Sequence, residues 1–343
     1  MTNSNATDLL SNAIVVVCPG RVGDLITAEP ILRHAHEDEP LRDMVLFTLR
    51  DYTEVMRHCP YISRIEACAS KAELLQKTSA LPSDVRVIKI NCETVDVPKR
   101  SFLKLEQSAN LLNQFQLENN LPICNDTARF YLSDLAETPP DDLPQDYVVF
   151  HCCSGGKSRQ WPLDNWRRLA EFCMASSMPV VEIGFGSVLN LSSQNYHPRC
   201  GNLRLDETGR IIRHAKALIG VESGMLHLAN ALDTFGFVIT GSLHDMPEYN
   251  YYCGRYYEQE NCNFLRFFNR SPFELPYSVV ETVLSRFLAG KPMSFAECEA
   301  FCLKCQLARQ EFSFLGRLWR KLREPFLKMK LTSQFHNRPR RKR

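Results

Sequence analysis

The chain has 343 residues, of which 44% are apolar and 23% are charged, with a formal net charge of +2. This composition excludes a disordered or collagen-like chain and a small disulfide-rich domain, and the length suffices for two packed α/β units. The longest unbroken apolar runs, such as residues 13–18, fall far short of the ~20 residues that a membrane-spanning helix requires. We therefore expect a soluble or peripheral protein.

The first twelve residues lack both the basic region and the apolar region of a secretory signal. This predicts that the protein stays in the cytoplasm, where thiols are kept reduced. The fourteen cysteines are then expected as thiols or metal ligands rather than as a disulfide framework.

In the first half of the chain, short apolar runs alternate with segments of helical periodicity, which is typical of a parallel sheet covered by helices. The pattern predicts strands at residues 13–17, 45–49, 64–68 and 85–90, and helices at residues 25–37, 71–81 and 101–120.

Residues 136–146 hold three prolines and four acids, which predicts a linker between an N-terminal domain at residues 1–135 and a second domain at residues 147–290. Residues 291–343 form a C-terminal helix and a basic tail. The second domain repeats the alternation, with strands predicted at residues 147–152, 179–185, 217–221 and 235–241, and helices at residues 163–176, 208–216, 225–232 and 277–290. We therefore predict an α/β protein with two doubly wound, Rossmann-like domains that face a cleft.

The first strand leads into a glycine loop that opens a helix, where free backbone amides favour anions. The loop contains Gly20, Gly23 and Asp24, but it lacks the spacing of a dinucleotide fingerprint. Asp24 has two interpretations: a carboxylate that caps the helix, or a general base that faces the cleft.

A second loop follows the first strand of the second domain and contains Ser154, Lys157 and Arg159. Its two cations could neutralise a diphosphate. The alternative is a solvated loop in which Trp161 simply packs against the start of the next helix.

A sharp turn at Glu222, Ser223 and Gly224 leads from a strand into a helix, whose first turn includes Met225 and His227. The exposed amides of such a turn can bind an anion. A single histidine on a helix is more often structural than functional, so His227 alone indicates little.

Taken together, these segments resemble glycosyltransferase family 9, the heptosyltransferases of bacterial lipopolysaccharide assembly. Residues 22–40 are similar to the family's first loop and helix, and residues 151–154 and 159–162 are similar to its second-domain strand and K-x-W-P motif. Residues 222–229 are similar to its D-[ST]-G-x-x-H-L-A signature, and residues 240–242 match its T-G-S. Arg159 replaces the usual Lys, and Glu222 replaces the usual Asp.

The resemblance spans residues 13–290 and implies a GT-B fold, with an acceptor domain first and a nucleotide-sugar domain second. It implies inverting transfer of a heptose-like sugar from an ADP-linked donor to a lipopolysaccharide-type glycolipid, with Asp24 as base. The charge of the leaving group would be met by Ser154, Arg159 and the amides of Ser223 to Met225, with further contacts from Glu222 and His227. The chain contains no D-x-D pair, so we expect no cofactor to be required for catalysis.

Cys298, Cys302 and Cys305 recur at i, i+4 and i+7, which places them on one face of a helix. The simpler interpretation is that these thiols pack in the core. The alternative is a four-cysteine zinc or iron site completed by Cys262 or Cys253, similar to that of protein-modifying heptosyltransferases that carry iron.

Residues 309–343 hold twelve Lys and Arg against two Glu, whereas the rest of the chain has 29 basic and 37 acidic residues, a net of −8. Basic and apolar side chains interleave at residues 311–331, and residues 311–343 as a whole predict contact with an anionic membrane. A solvated tail is the alternative. Nucleic acid is not expected as a partner, because the basic charge is confined to the tail.

The resulting hypothesis is a cytoplasmic enzyme that works at the inner face of the bacterial inner membrane. Two alternatives remain open: a protein O-heptosyltransferase with a cysteine-bound metal, and a non-catalytic scaffold that binds a nucleotide sugar. Arg159 and Glu222 motivate the second, because both depart from the family pattern.

Overall fold

A computed structural model of the chain describes residues 10, 12–82, 85–90, 110–201, 203–241 and 251–311. The strands are β1 Ala13–Cys18, β2 Asp43–Leu49, β3 Arg64–Cys68, β4 Arg86–Lys89, β5 Val148–His151, β6 Val180–Gly184, β7 Tyr196–Cys200, β8 Ala217–Val221, β9 Gly236–Ile239 and β10 Cys262–Leu265. The helices are α1 Val22–Asp38, α2 Lys71–Ser79, α3 Leu111–Glu118, α4 Leu163–Ala175, α5 Leu205–Arg213, α6 Gly224–Ala231, α7 Tyr277–Leu288 and α8 at residues 295–311. None of the described helices is long and apolar enough to cross a membrane.

The first domain is built on a four-stranded parallel sheet in the order β3-β2-β1-β4. Every residue of the central strand β1 is buried, because helices cover both faces of the sheet. This explains why β1 reads as a continuous apolar run rather than as an alternating pattern.

The second domain contains a six-stranded parallel sheet in the order β7-β6-β5-β8-β9-β10. Counted from β5 as its first strand, this is the 3-2-1-4-5-6 order of a doubly wound dinucleotide-binding sheet. The order reverses between β5 and β8, and the loops that leave these two strands diverge to form a crevice. The predicted class of two doubly wound α/β domains is confirmed.

The predicted strands and helices lie close to their expected positions, with three differences. Two strands were not predicted, β7 and β10. The sequence of β7, Tyr-His-Pro-Arg-Cys, contains a proline and lies at the sheet edge, where proline is tolerated. The helix predicted at residues 101–120 is seen as Leu111–Glu118, and residues 101–109 lie outside the described part of the chain.

Helix α8 buries a face of cysteines, as the i, i+4, i+7 spacing predicts. Cys298 and Cys302 are fully buried in the second domain's core, and Cys305 packs partly against it. Cys262 and Cys298 direct their thiols at backbone carbonyls. Within the described residues, no three of these sulfurs lie within 4.8 Å of one another. These thiols pack in the core, and a metal at these cysteines stays a prediction.

The two domains meet where α1 and α6 begin, and a glycine lies on each side of the contact. A Cβ at Gly23 would lie 2.8 Å from Cδ2 of His227, and a Cβ at Gly224 would lie 2.9 Å from Cβ of Val22. Real Cβ atoms essentially never approach so closely, so any other residue would force the helices apart. The side chains behind this contact form one apolar core shared by both domains.

We expect Gly23→Ala to lower the free energy of unfolding by on the order of 1–2 kcal/mol, because overpacking against His227 exceeds the ~1 kcal/mol that alanine gains in helix propensity. The matched control is Gly186→Ala, where a Cβ would meet no atom within 4 Å. Urea unfolding of both variants measures the difference. Equal stability of the two variants would contradict the tight contact.

Candidate functional site

The loop after β1 turns directly into α1, and its carboxylate caps the new helix. Asp24 Oδ2 accepts the backbone N–H of Arg21 at 2.6 Å, and a Cβ at Gly20 would lie 2.5 Å from the same oxygen. Asp24 is half-buried at the domain boundary. The capping interpretation is therefore confirmed, and a role for Asp24 as general base stays a prediction.

An ion pair lies across the crevice of the second domain. Arg159 Nε is 3.1 Å from Glu222 Oε2, and the carboxylate is almost fully buried whereas the guanidinium is about one-third exposed. Burial raises the pKa of Glu222, Arg159 opposes that rise, and the charge of Asp24 adds to it. Asp24 of the first domain thus lies within electrostatic range of the pair in the second.

The turn after β8 is joined to the end of β5 by a side-chain hydrogen bond. Ser223 Oγ lies 3.1 Å from Nδ1 of His151, and both side chains are buried. Burial lowers the pKa of His151 to about 4, so the ring is neutral at neutral pH. Gly224 and Met225 remain half-exposed, which leaves the first turn of α6 accessible from the crevice.

His227 lies inside the domain contact rather than in the open crevice. It is 6% exposed, its Nδ1 is 3.1 Å from Thr27 Oγ1, and its ring packs on Tyr252 at 4.6 Å between centroids. Burial, with a smaller contribution from Arg159, lowers the pKa of His227 to about 3. These contacts show that His227 packs in the contact between the two domains, as the structural interpretation predicted.

The loop after β5 is held in shape by its own hydrogen bonds. Gln160 Nε2 donates to the carbonyl oxygens of Ser154 at 2.9 Å and Gly156 at 3.3 Å. Trp161 is buried and its Nε1 donates to the carbonyl of Leu275 at 2.8 Å, so the predicted packing at the helix entrance is confirmed. The side chain of Lys157 lies outside the described part of the structure.

Sequence reasoning missed the contacts that fix α1 in place. Glu29 is fully buried and accepts hydrogen bonds from Arg33 Nε, the Arg129 N–H and the Tyr131 hydroxyl at 3.2, 2.9 and 3.0 Å. It also missed Arg21, whose Nη1 lies 3.0 Å from where a Cβ of Gly155 would be. The sequence signal for Glu29 was an acidic residue within the apolar part of a predicted helix. Its role becomes clear only from the hydrogen-bond donors at residues 129 and 131, which lie far away in the sequence.

Comparison with known proteins agrees with the geometry. The family model for glycosyltransferase family 9 (heptosyltransferase) matches residues 67–236. The chain is similar in structure to E. coli heptosyltransferase WaaC with ADP, at 14% identity and a TM-score of 0.58, covering 80% of this chain and 99% of that one. The matched segment belongs to glycosyltransferase family 9.

Two further solved structures extend the comparison with this family. E. coli ADP-heptose lps heptosyltransferase II matches at 14% identity and a TM-score of 0.62, over 81% of this chain and 99% of that one. The iron-containing E. coli heptosyltransferase TibC, with ADP-D-beta-D-heptose, matches at 16% identity and a TM-score of 0.52, over 78% and 65%. A sequence comparison with curated proteins finds no match. The GT-B fold of the family 9 heptosyltransferases is thus confirmed, and the chain is a glycosyltransferase.

The buried imidazole of His227 predicts a pH dependence of stability for this family 9 protein. Between the ordinary pKa of 6.5 and the native value of about 3, the unfolded chain binds a proton that the native chain does not. The contribution of His227 to the free energy of unfolding is therefore complete above pH 6.5 and is lost as the pH falls below this value. The loss amounts to up to about 1.4 kcal/mol per pH unit.

Unfolding by urea at pH 7, 5.5 and 4.5 tests this effect. His227→Gln should flatten the decline, while the control His58→Gln, at an exposed position, should keep the wild-type slope. The burial argument fails if His227→Gln and wild type lose stability in parallel over this range.

Proposed function

We propose that this heptosyltransferase-family enzyme transfers a heptose-like sugar, with inversion, from an ADP-linked donor to a lipopolysaccharide-type glycolipid. The observation that supports this most is that Asp24 of the first domain lies within electrostatic range of the Arg159–Glu222 pair of the second. A base on one domain then faces a diphosphate-binding surface on the other. The first domain would bind the acceptor and the second the donor.

The donor diphosphate would lie over the crevice between β5 and β8. The half-exposed first turn of α6 offers the amides of Gly224 and Met225, and the β5 loop offers Ser154 and the guanidinium of Arg159. These groups are fixed before the reaction and would stabilise the negative charge that develops on the leaving diphosphate. Glu222 would orient Arg159 rather than contact the sugar, because its carboxylate is buried.

In the proposed displacement, the acceptor hydroxyl oxygen forms a bond to the anomeric carbon as the bond from that carbon to the diphosphate oxygen breaks. The hydroxyl proton passes to the Asp24 carboxylate, and the diphosphate leaves as an anion. Asp24 is held at the start of α1 by the Arg21 N–H, so positioning of the carboxylate is the contribution that the structure supplies. No cofactor takes part in these steps.

The nature of the donor is supported by the structural neighbours. The solved structures include WaaC with ADP and with ADP-2-deoxy-2-fluoro heptose, and TibC with ADP-D-beta-D-heptose. The family assignment favours an enzyme over a non-catalytic scaffold. The similarity to the iron-containing TibC keeps a protein O-heptosyltransferase as a second candidate, and a metal at the cysteines of α8 stays a prediction.

Asp24→Asn tests the proposed base. We expect kcat/KM for transfer to fall by about 10²- to 10⁴-fold, the usual contribution of a positioned general base. The fold should be retained, because an asparagine oxygen can still accept the Arg21 N–H. Transfer is measured by mass spectrometry of products from ADP-heptose with a lipopolysaccharide acceptor panel and, separately, a polypeptide panel.

The matched control is Asp164→Asn, because Asp164 also lies in the first turn of a helix but is 91% exposed. It should transfer sugar at the wild-type rate. Undiminished transfer by Asp24→Asn would rule out its role as base, and glycosylated polypeptide as the sole product would replace the glycolipid acceptor.

We further propose that residues 311–343 attach the enzyme to the inner face of the bacterial inner membrane, where a glycolipid acceptor would be held. All but the first of these residues lie outside the described structure, so the support is their sequence alone, with its interleaved basic and apolar side chains. Each basic residue near an anionic surface contributes about 1 kcal/mol, which salt weakens.

Truncation after residue 310 should abolish sedimentation with anionic vesicles, whereas the full chain should bind them and be released by added salt. Vesicles of zwitterionic lipid serve as the control and should retain much less of the full chain. If the truncated protein binds anionic vesicles as well as the full chain does, the membrane role of this segment is wrong.

A further inference from the structure

A second cluster of reactive side chains lies away from the crevice, where the segment after α3 crosses the C-terminal half of α1. His34, Cys124 and Asp126 each bring one ligand atom within 4.8 Å of the other two, and His34 Nε2 is 3.0 Å from Asp126 Oδ2. We propose that these three side chains bind a divalent transition-metal ion of the zinc class. This site is independent of the proposed transferase chemistry.

The donor set suits such an ion. An imidazole nitrogen, a thiolate sulfur and a carboxylate oxygen are the three ligand types that zinc takes from proteins, and three protein ligands leave a fourth position for water. The Cys124 thiol would release its proton to solvent on binding, so two anionic ligands balance the charge of the ion.

The position of Cys124 is fixed by buried amides of α3. Gln116 is 1% exposed; its Nε2 donates to Cys124 Sγ at 3.0 Å and its Oε1 accepts the Cys124 N–H at 3.3 Å. Asn113 Nδ2 donates to the Cys124 carbonyl at 2.8 Å. Hydrogen bonds to the ligand atom and its backbone are the outer contacts that orient metal ligands. Buried amides directed at a thiol are otherwise costly, because they bury polar groups for a weak acceptor.

Arg33 is a nearby cation that could oppose a metal ion, since its Nη1 lies 3.4 Å from Asp126 Oδ2. Its charge is compensated by Glu29, whose Oε1 is 3.2 Å from Arg33 Nε. The guanidinium also donates to the Thr127 carbonyl at 3.3 Å. Arg33 therefore orients the Asp126 carboxylate and the segment that follows it.

The site is open to solvent. The side chains of His34 and Asp126 are about two-fifths exposed, and Asp126 also lines a pocket of about 390 Å³ together with Arg33, Asn230 and Arg255. An ion can therefore reach the ligand atoms of His34 and Asp126 from solvent. Bound metal would join α1 to the segment at residues 124–126 and so stabilise the first domain.

Metal binding to the full chain tests the proposal. Protein purified in chelator and dialysed against Co²⁺ should bind one ion per chain and show the near-ultraviolet absorption of a thiolate–cobalt bond. Zn²⁺ should displace the cobalt and raise the melting temperature. His34→Ala and Cys124→Ser should each lose the absorption and at least 10-fold in cobalt affinity, in line with loss of a ligand.

Two cysteine variants are matched controls. Cys153→Ser removes an exposed thiol outside the cluster, and Cys305→Ser removes a thiol of the α8 group. Both should bind Co²⁺ as the wild type does. The proposal is overturned if the wild type binds no Co²⁺, if Cys124→Ser retains the thiolate absorption, or if the ion is lost in Cys305→Ser instead. Circular dichroism of His34→Ala and Cys124→Ser checks that a loss of binding is not a loss of fold.

Discussion

The close approach of α1 and α6 at their first turns is the constraint on which the candidate site depends. Gly23 and Gly224 let the two backbones meet, and the side chains behind them form a core that both domains share. Since a helix begins at each side of this contact, both sets of free amides and the Asp24 carboxylate are brought to one place. A larger residue at either glycine would separate the acidic side chain from the crevice across which the donor would lie.

The candidate site also depends on partners for its buried carboxylates. A carboxylate in an apolar interior is stable only when hydrogen bonds or an opposite charge compensate it. Glu29 has three hydrogen-bond donors from α1 and the segment at residues 129–131, and these fix the helix that presents Asp24. Glu222 is likewise buried, and it is paired with Arg159. The two histidines of the region remain neutral, so among the described side chains the fixed charges near the crevice come from arginines and carboxylates.

The strands buried on both faces and the long amphipathic helices could be predicted from the sequence, since each is specified by local periodicity. The edge strand β7 could not, because its sequence is polar and contains a proline. The sequence motifs identified Arg159 and Glu222 separately, but they did not predict that these two residues form an ion pair. Arg159 and Glu222 are 63 positions apart, and only the parallel order that places β5 beside β8 brings them together. The motif resemblance placed His227 among the groups that contact the donor. Its packing against Thr27 and Tyr252 could not be predicted, because it depends on the contact between the two domains.

The ion pair also accounts for the two departures from the family pattern. Arginine in place of the usual lysine and glutamate in place of the usual aspartate are changes in side chains that contact each other, Arg159 and Glu222. A guanidinium keeps donors available after one nitrogen has bound a carboxylate, whereas an ammonium is a single point charge. One face of Arg159 can thus be held by the buried Glu222 while its exposed third faces the crevice. The departures then form one compensated change, which keeps a cation at the position proposed for the donor diphosphate.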